Sequence, residues 1–312
     1  MSRAFVFPGQ GAQTIGMGQA LAETYPEAKA VFQEVDDALG EPLSDLIWNG
    51  DIETLTLTEN AQPALMATSI AAMKALEAEG ISVSSAAFVA GHSLGEYSAL
   101  AAAGALTISD CARLLRTRGK AMQSAVAVGQ GAMAALLGLD LGTVKDIAEE
   151  AAKGAVCEAA NDNDPAQVVI SGNADAVARA IEIAKERGAR RAIMLPVSAP
   201  FHCALMAPAA EVMARALDEV EIERPVVPLV ANVLAHDVDD PTTIRSLLVD
   251  QVTHAVRWRE SVAWMADQGV TEFWEIGAGK ALSGMIKRIA RTAGTRAVGT
   301  PEDVASAAEF QR

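Results

Sequence analysis

The chain has 312 residues, 51% of them hydrophobic and 21% charged, with 40 acidic against 25 basic side chains and a formal net charge of −15. That balance excludes an intrinsically disordered chain, and it excludes a uniformly basic surface that binds nucleic acid by displacing counterions from phosphates. A large core is expected, in one domain with an insertion or in two; with aromatics at only 4%, Ala, Val, Leu, Ile and Met must build it.

The apolar run that begins at Ala99 stops at Asp110, short of the roughly 18 to 20 residues that span a bilayer. At the N-terminus, Ala4 to Phe7 meets Pro8 and Gly9 too soon to be the core of a secretory signal. Cys111, Cys157 and Cys203 are odd in number and widely spaced, which suits free thiols in a reducing compartment. The expectation is a cytoplasmic protein with no membrane and no nucleic-acid partner.

In chain order, a strand over 3–7 enters the loop Pro8-Gly9-Gln10-Gly11-Ala12-Gln13, and apolar residues at helical spacing predict helices through Leu21, Ala28 and Val31 and again over 63–76. A small-residue strand over 86–90, the turn Gly91-His92-Ser93-Leu94-Gly95 and an Ala-rich helix to about 103 then suggest a parallel sheet whose working loops lie at the strand carboxyl ends. From 126 to 197 the texture changes. Strands are predicted at 132–137, 156–160, 167–171 and 191–195, with helices at 143–153 and 174–187, a βαββαβ order typical of a ferredoxin-like unit of about 70 residues. Strands at 226–230 and 272–276 resume the first pattern. The fold class expected is α/β: a large α/β-hydrolase-like domain with a parallel sheet, made of residues 1–125 and 198–312, plus an inserted ferredoxin-like subdomain at 126–197.

Gly91-x-Ser93-x-Gly95 matches a nucleophile elbow, where a serine on a strained strand-to-helix turn projects from the sheet edge. The glycines allow so tight a turn, and the following helix N-terminus offers N–H groups to a developing oxyanion. A glycine-rich turn without chemistry is the competing reading. The hydroxyl needs a base, and the chain offers His92, His202, His236 and His254. His92 adjoins the serine as an orienting or packing residue, and His236 lies in the polar turn His236-Asp237-Val238-Asp239-Asp240. His202 follows a segment stiffened by Pro196 and Pro200, after a strand and before a helix, and is preferred over His254. No carboxylate presents itself as a third member, so a backbone carbonyl holding the imidazole N–H is allowed.

On a helix containing Cys111 to Met122, Arg118 falls among Cys111, Leu114, Leu115, Ala121 and Met122, while Arg113, Arg116 and Lys120 share the opposite face. A guanidinium there needs an anionic partner: an internal salt bridge or a substrate carboxylate. Gly9, Gly11, Gly16 and Gly18 do not have dinucleotide-fingerprint spacing, and Gly277-Ala278-Gly279-Lys280 lacks the preceding glycine of a P-loop.

Taken together, these segments resemble the malonyl-coenzyme A:acyl carrier protein transacylase family. The match is carried by Phe7-Pro8-Gly9-Gln10-Gly11, Gly91-His92-Ser93-Leu94-Gly95-Glu96, Arg118-Gly119-Lys120, Gly131-Ala132-Met133, and Asn161 on to Pro165-x-Gln167-Val168-Val169. It continues through Pro200-Phe201-His202, Asn232, Gln251, Val256-Arg257-Trp258 and Glu275-Ile276-Gly277-x-Gly279-Lys280. The resemblance implies Ser93 as nucleophile, His202 as base, Gln251 as the carbonyl that orients it, Gln10 and Leu94 as oxyanion N–H donors, and Arg118 as the clamp on the malonyl carboxylate. His92, Asn161, Asn163 and Asn232 are expected nearby, and Phe201 resembles the malonyl-selective form. Cys203 stands where many relatives carry Ser.

The implied substrates are malonyl-CoA and phosphopantetheinylated acyl carrier protein, with no cofactor and no metal, in a monomer of fatty acid biosynthesis. A serine esterase or thioesterase and a polyketide-pathway malonyltransferase are the alternatives. Since carrier proteins are expected to be acidic, docking should use local positive charge. Lys280, Lys287, Arg288, Arg291 and Arg296 form one such cluster; Arg113, Arg116 and Lys120 form another.

Overall fold

The structure, a computed structural model, describes residues 2–197 and 199–311. Ser198, where the second part of the larger domain was expected to begin, lies outside the described residues, as do the chain's first and last residues. The ten strands among the described residues are β1 (Arg3–Phe7), β2 (Phe88–Gly91), β3 (Gly131–Leu137), β4 (Cys157–Asp164), β5 (Gln167–Asn173), β6 (Arg191–Met194), β7 (Leu229–Val230), β8 (Asp237–Val238), β9 (Glu272–Ile276) and β10 (Gly294–Val298).

Six of them form a sheet in the order β10-β9-β1-β2-β7-β8, parallel except for the antiparallel edge strand β8. The fold is therefore mixed α/β with a largely parallel sheet. β1 shows why it occupies the middle. Phe5 and Phe7 point into the main core with the buried helix Thr58–Ala78, whereas Ala4 and Val6 point the other way, to Trp258 and Phe273. A strand covered on both faces reads as continuously apolar, as this one does.

The other four strands form an antiparallel sheet in the order β4-β5-β3-β6. Period-two alternation gives each face of β3 its own task. Ala134 and Leu136 join a separate core with the helices Leu141–Ala152 and Ala174–Glu186, while Met133 and Ala135 face the main core. The small sheet thus carries helices on one side and lays its other side against the larger unit. The junction is polar as well. Asp162 N–H donates to Val256 O and Val256 N–H to Ala160 O, each at 2.9 Å. Carboxylates of the buried Asp162 and Asp164 pair with Arg259 (2.8 Å) and Arg288 (2.7 Å).

Several predicted boundaries move. The strand expected at 86–90 is Phe88–Gly91, and that at 226–230 shrinks to Leu229–Val230. The strand expected at 156–160 runs on to Asp164, because partners outside the segment satisfy its buried polar end. β8 and β10 were not anticipated. β10 begins within the basic run, so that run divides: Lys280 precedes the helix Ala281–Ile289, which holds Lys287 and Arg288, whereas Arg296 lies on β10 over the rings of Trp274 and Phe310. Among the described residues no helix is long and apolar enough to cross a membrane.

Candidate active site

The register of the large sheet assembles the site. Phe7 pairs with Gly91, so the loop after β1 and the turn after β2 leave the sheet side by side, and His92 N–H donates to Phe7 O at 3.1 Å. The turn tolerates no side chain at its glycines: a Cβ on Gly91 would lie 1.9 Å from Gly95 backbone atoms, and one on Gly95 2.2 Å from Phe7 O. Ser93 sits at the bend with φ 52°, a left-handed conformation that a non-glycine residue adopts at a cost. Asn232 holds it there: its Oδ1 accepts from Ser93 N–H (2.8 Å) and its Nδ2 donates to Gly91 O (2.6 Å).

His202 arrives from the far side, on the segment after β6, also with positive φ, at 58°. Its Nε2 is 2.8 Å from Ser93 Oγ and its Nδ1 is 2.9 Å from Gln251 O. A carbonyl only accepts, so Nδ1 carries the proton and Nε2 is free to accept from the serine hydroxyl. Burial, and next the neighbouring Arg118 charge, push the imidazole down to about 3, so it rests neutral. His236 and His254 are occupied elsewhere, with backbone carbonyls of Asp237 and Asp250.

Arg118 is 1% exposed, on the apolar face of the helix Ile108–Ser124 as the spacing predicted. Among the described residues the internal salt bridge does not form. Nη1 donates to Gln62 Oε1 (2.7 Å), Nη2 to Gln251 Oε1 (2.8 Å) and to Ser93 Oγ (3.1 Å), and Nε has no partner among the described residues. A fully charged group is thus held by neutral oxygens beside the serine hydroxyl. The other basic residues of this helix are not all free: Arg113 pairs with Asp110, and Arg116 with Glu41 and Asn60.

These groups border a cavity of about 350 Å³ that also takes in Gln10, His92, Leu94, Asn161 and Phe201. Neither the Gln10 nor the Leu94 N–H has an acceptor among the described residues, and Leu94 immediately precedes the helix Gly95–Ala102. His92 Nε2 meets Asn163 Oδ1 at 2.8 Å and its ring leans on Trp258, so His92 is held as well as exposed to the cavity. Phe201, Met122 and Met133 form apolar wall. Gln251 stands behind His202. Cys203 is buried, its thiol bonded to Pro200 O at 3.2 Å and pushed by burial up to about 11, which leaves it inert. Among the described residues, no group of three or more His, Cys, Asp or Glu could hold a metal ion.

Two residues of this network were missed. Gln62 sits inside a helical apolar stretch, and the only signal was a polar side chain on a buried face. Glu96 follows the second glycine of the elbow, Gly95, with no local pattern to mark it. It is 1% exposed, accepts from Gln251 Nε2 at 2.6 Å, and burial raises its carboxyl to about 7.

Comparison with known proteins shows the family. The acyl transferase domain family model matches residues 4–305. The malonyl CoA-acyl carrier protein transacylase of Bacillus subtilis is 48% identical over 302 residues, 96% of this chain and 94% of that protein. An acyl-carrier-protein-S-malonyltransferase crystal structure from Bartonella henselae superposes with a TM-score of 0.97 at 54% identity, covering 99% of each chain. A malonyl-transacylase solved in complex with its type II PKS acyl-carrier protein gives a TM-score of 0.96 at 41% identity, over 99% of this chain and all of that one. Full-length similarity of this order, on top of the serine elbow and its histidine, makes the chain an acyltransferase that belongs to the malonyl CoA-acyl carrier protein transacylase family.

Proposed function

We propose that the protein moves the malonyl group of malonyl-CoA to the phosphopantetheine thiol of acyl carrier protein, in fatty acid biosynthesis, by a ping-pong route through a malonyl ester of Ser93. One observation carries this reading: the Arg118 guanidinium is buried, lacks a carboxylate partner among the described residues, and donates to the Ser93 hydroxyl within the same cavity. Such a cation is costly until an anion arrives, and a malonyl thioester brings a carboxylate one methylene away from the carbonyl that reacts.

Ser93 Oγ attacks the thioester carbon while its proton passes to His202 Nε2. The oxyanion is received by the N–H groups of Gln10 and Leu94; the carbon–sulfur bond then breaks, and His202 returns the proton to the coenzyme A thiolate. The carrier thiol repeats the sequence in reverse. Gln251 O keeps the imidazole in the required tautomer. Arg118 both binds and discriminates: its charge is one cause of the depressed His202 basicity, and a malonyl carboxylate cancels that charge where an acetyl group does not. His92 and Asn161 border the acyl group, and Phe201 leaves little room for an α-methyl branch. Both half-reactions need only proton transfer and electrostatics, so no resident cofactor or metal has a task in them.

The carrier protein is taken to dock near Lys280, Lys287, Arg288 and Arg291 on a cytoplasmic monomer; the relative solved with its carrier protein supports that class of partner. Strand orders β10-β9-β1-β2-β7-β8 and β4-β5-β3-β6, with a separate core under the second, support reading the architecture as an α/β-hydrolase-like domain (1–125 and 198–312) with a ferredoxin-like subdomain (126–197).

The test is intact-protein mass after incubation with malonyl-, methylmalonyl- and acetyl-CoA, for wild type and Ser93→Ala. A long-lived malonyl adduct is expected on the wild type alone. Rapid release of free malonate without a thiol acceptor would indicate a thioesterase instead, and an adduct persisting in Ser93→Ala would overturn the nucleophile.

A further inference from the structure

The buried Arg118 has no ion-pair partner among the described residues, yet a buried carboxylate stands one residue behind it. Gln251 is completely buried, and its side-chain amide is used in full: Nε2 donates to Ser93 O (3.0 Å) and to Glu96 Oε2 (2.6 Å), and Oε1 accepts from Arg118 Nη2 (2.8 Å). Two acceptors on the nitrogen side force the oxygen toward the guanidinium, so Glu96 fixes which end of the amide Arg118 meets. The same Gln251 supplies, from its backbone, the carbonyl that holds His202. Glu96 Oε2 also lies 3.4 Å from the N–H of Asn232, the residue that holds the Ser93 bend.

We propose that Glu96 is a positioning residue of the acyl-transfer site: through the Gln251 amide it supplies the counter-charge Arg118 otherwise lacks, and so sets how tightly the site holds an acyl carboxylate and how readily His202 takes a proton. The inference rests on the malonyl-transfer reading above. A negative Glu96 offsets part of the Arg118 field, which weakens the grip on the incoming carboxylate and eases formation of imidazolium. Neutralising it does the reverse on both counts. A KM and a kcat that fall together are what a purely structural role would not produce.

The isosteric variant Glu96→Gln is therefore expected to lower KM for malonyl-CoA by about fivefold and kcat by about tenfold, the scale of coupling between residues that share one hydrogen-bond network. For acetyl-CoA its KM should be unchanged. Unchanged kcat and KM for malonyl-CoA in the folded variant, or a raised KM, would overturn the proposal.

A measurement on the wild type stands in should the variant not fold. Glu96 titrates near neutrality, its carboxyl raised by burial to about 7. The titratable groups facing it are Arg118 from the helix Ile108–Ser124, Tyr97 on its own helix, with Cys111 beyond the Tyr97 backbone, and His202 beyond Gln251. Burial raises Cys111 and Tyr97 far above this range, and burial with the Arg118 charge keeps His202 far below it. KM for malonyl-CoA should then fall as pH drops from about 8.5 to about 6.5, while KM for acetyl-CoA stays level; a level malonyl profile would overturn the proposal. A wild type that forms no malonyl adduct on Ser93 would remove the functional reading and this inference with it, whereas an adduct together with unchanged Glu96→Gln kinetics removes the inference alone.

Discussion

The molecule buries charge at the junction of its two sheets and again in the cavity, and treats it differently in the two. At the junction of the sheets, Asp162 and Asp164 are almost completely covered, and each meets a guanidinium that reaches in from a more exposed position. In the cavity the buried group is the cation, Arg118, and its neighbours are two amide oxygens and a hydroxyl. A buried charge with its partner in place is finished architecture. One held only by neutral acceptors, facing a cavity, is what supports the proposed malonyl-carboxylate site.

The sharpest way to break the comparison is at the serine. Ser93→Ala should reduce acyl transfer by about 10⁴-fold or more while leaving the fold intact, since removing any member of a nucleophile–base unit disables the whole; a thermal melt alongside the rate assay separates the two effects. Arg118→Ala comes next. It should lower kcat/KM for malonyl-CoA by about 10²- to 10³-fold and leave acetyl transfer equal or improved. Unchanged malonyl selectivity would place Arg118 with the structural charges instead.

At the junction the expected signature is stability. Arg288→Glu would set a second carboxylate against Asp164 and should cost about 1–2 kcal/mol of folding stability, discounted because Arg288 is half exposed. Urea denaturation measures it. The smallest effect belongs to Lys287→Glu on the same helix: a rise of a few fold in KM for acyl carrier protein with no change for malonyl-CoA. Equal effects on both substrates would count against docking there. Comparing the two variants also divides the basic run properly, because Arg288 carries a structural task and Arg296, stacked on Trp274 and Phe310, belongs to another part of the surface.

Much of this was legible from local pattern. β1 and β9 were predicted to the residue, and the strand–helix alternation of the small sheet was right within a few positions. Those segments combine regular apolar periodicity with glycine or proline at their ends. β8 and β10 escaped because two-residue pairing at an edge, or a strand holding Thr and Arg, carries no such period. The polar end of β4 escaped for a related reason. Asn161 to Asp164 look like a solvated turn until Arg259, Arg288 and His92 are brought to them.

The same division runs through the site. The elbow is a local matter, because only glycine fits at 91 and 95, and so is the burial of Arg118, because helical spacing sets which face it shares. Whether that arginine was a salt bridge or an open cation was decided by the tertiary structure alone. So were the approach of His202 to Ser93, the anchoring of its imidazole on Gln251, and the place of Glu96 behind them. Residues 93, 118, 202 and 251 lie on different elements, and hydrogen bonds of 2.8–3.1 Å between them exist only once two sheets have packed and their loops have met. Periodicity records which face of an element is buried; it holds no information about what waits on the other side.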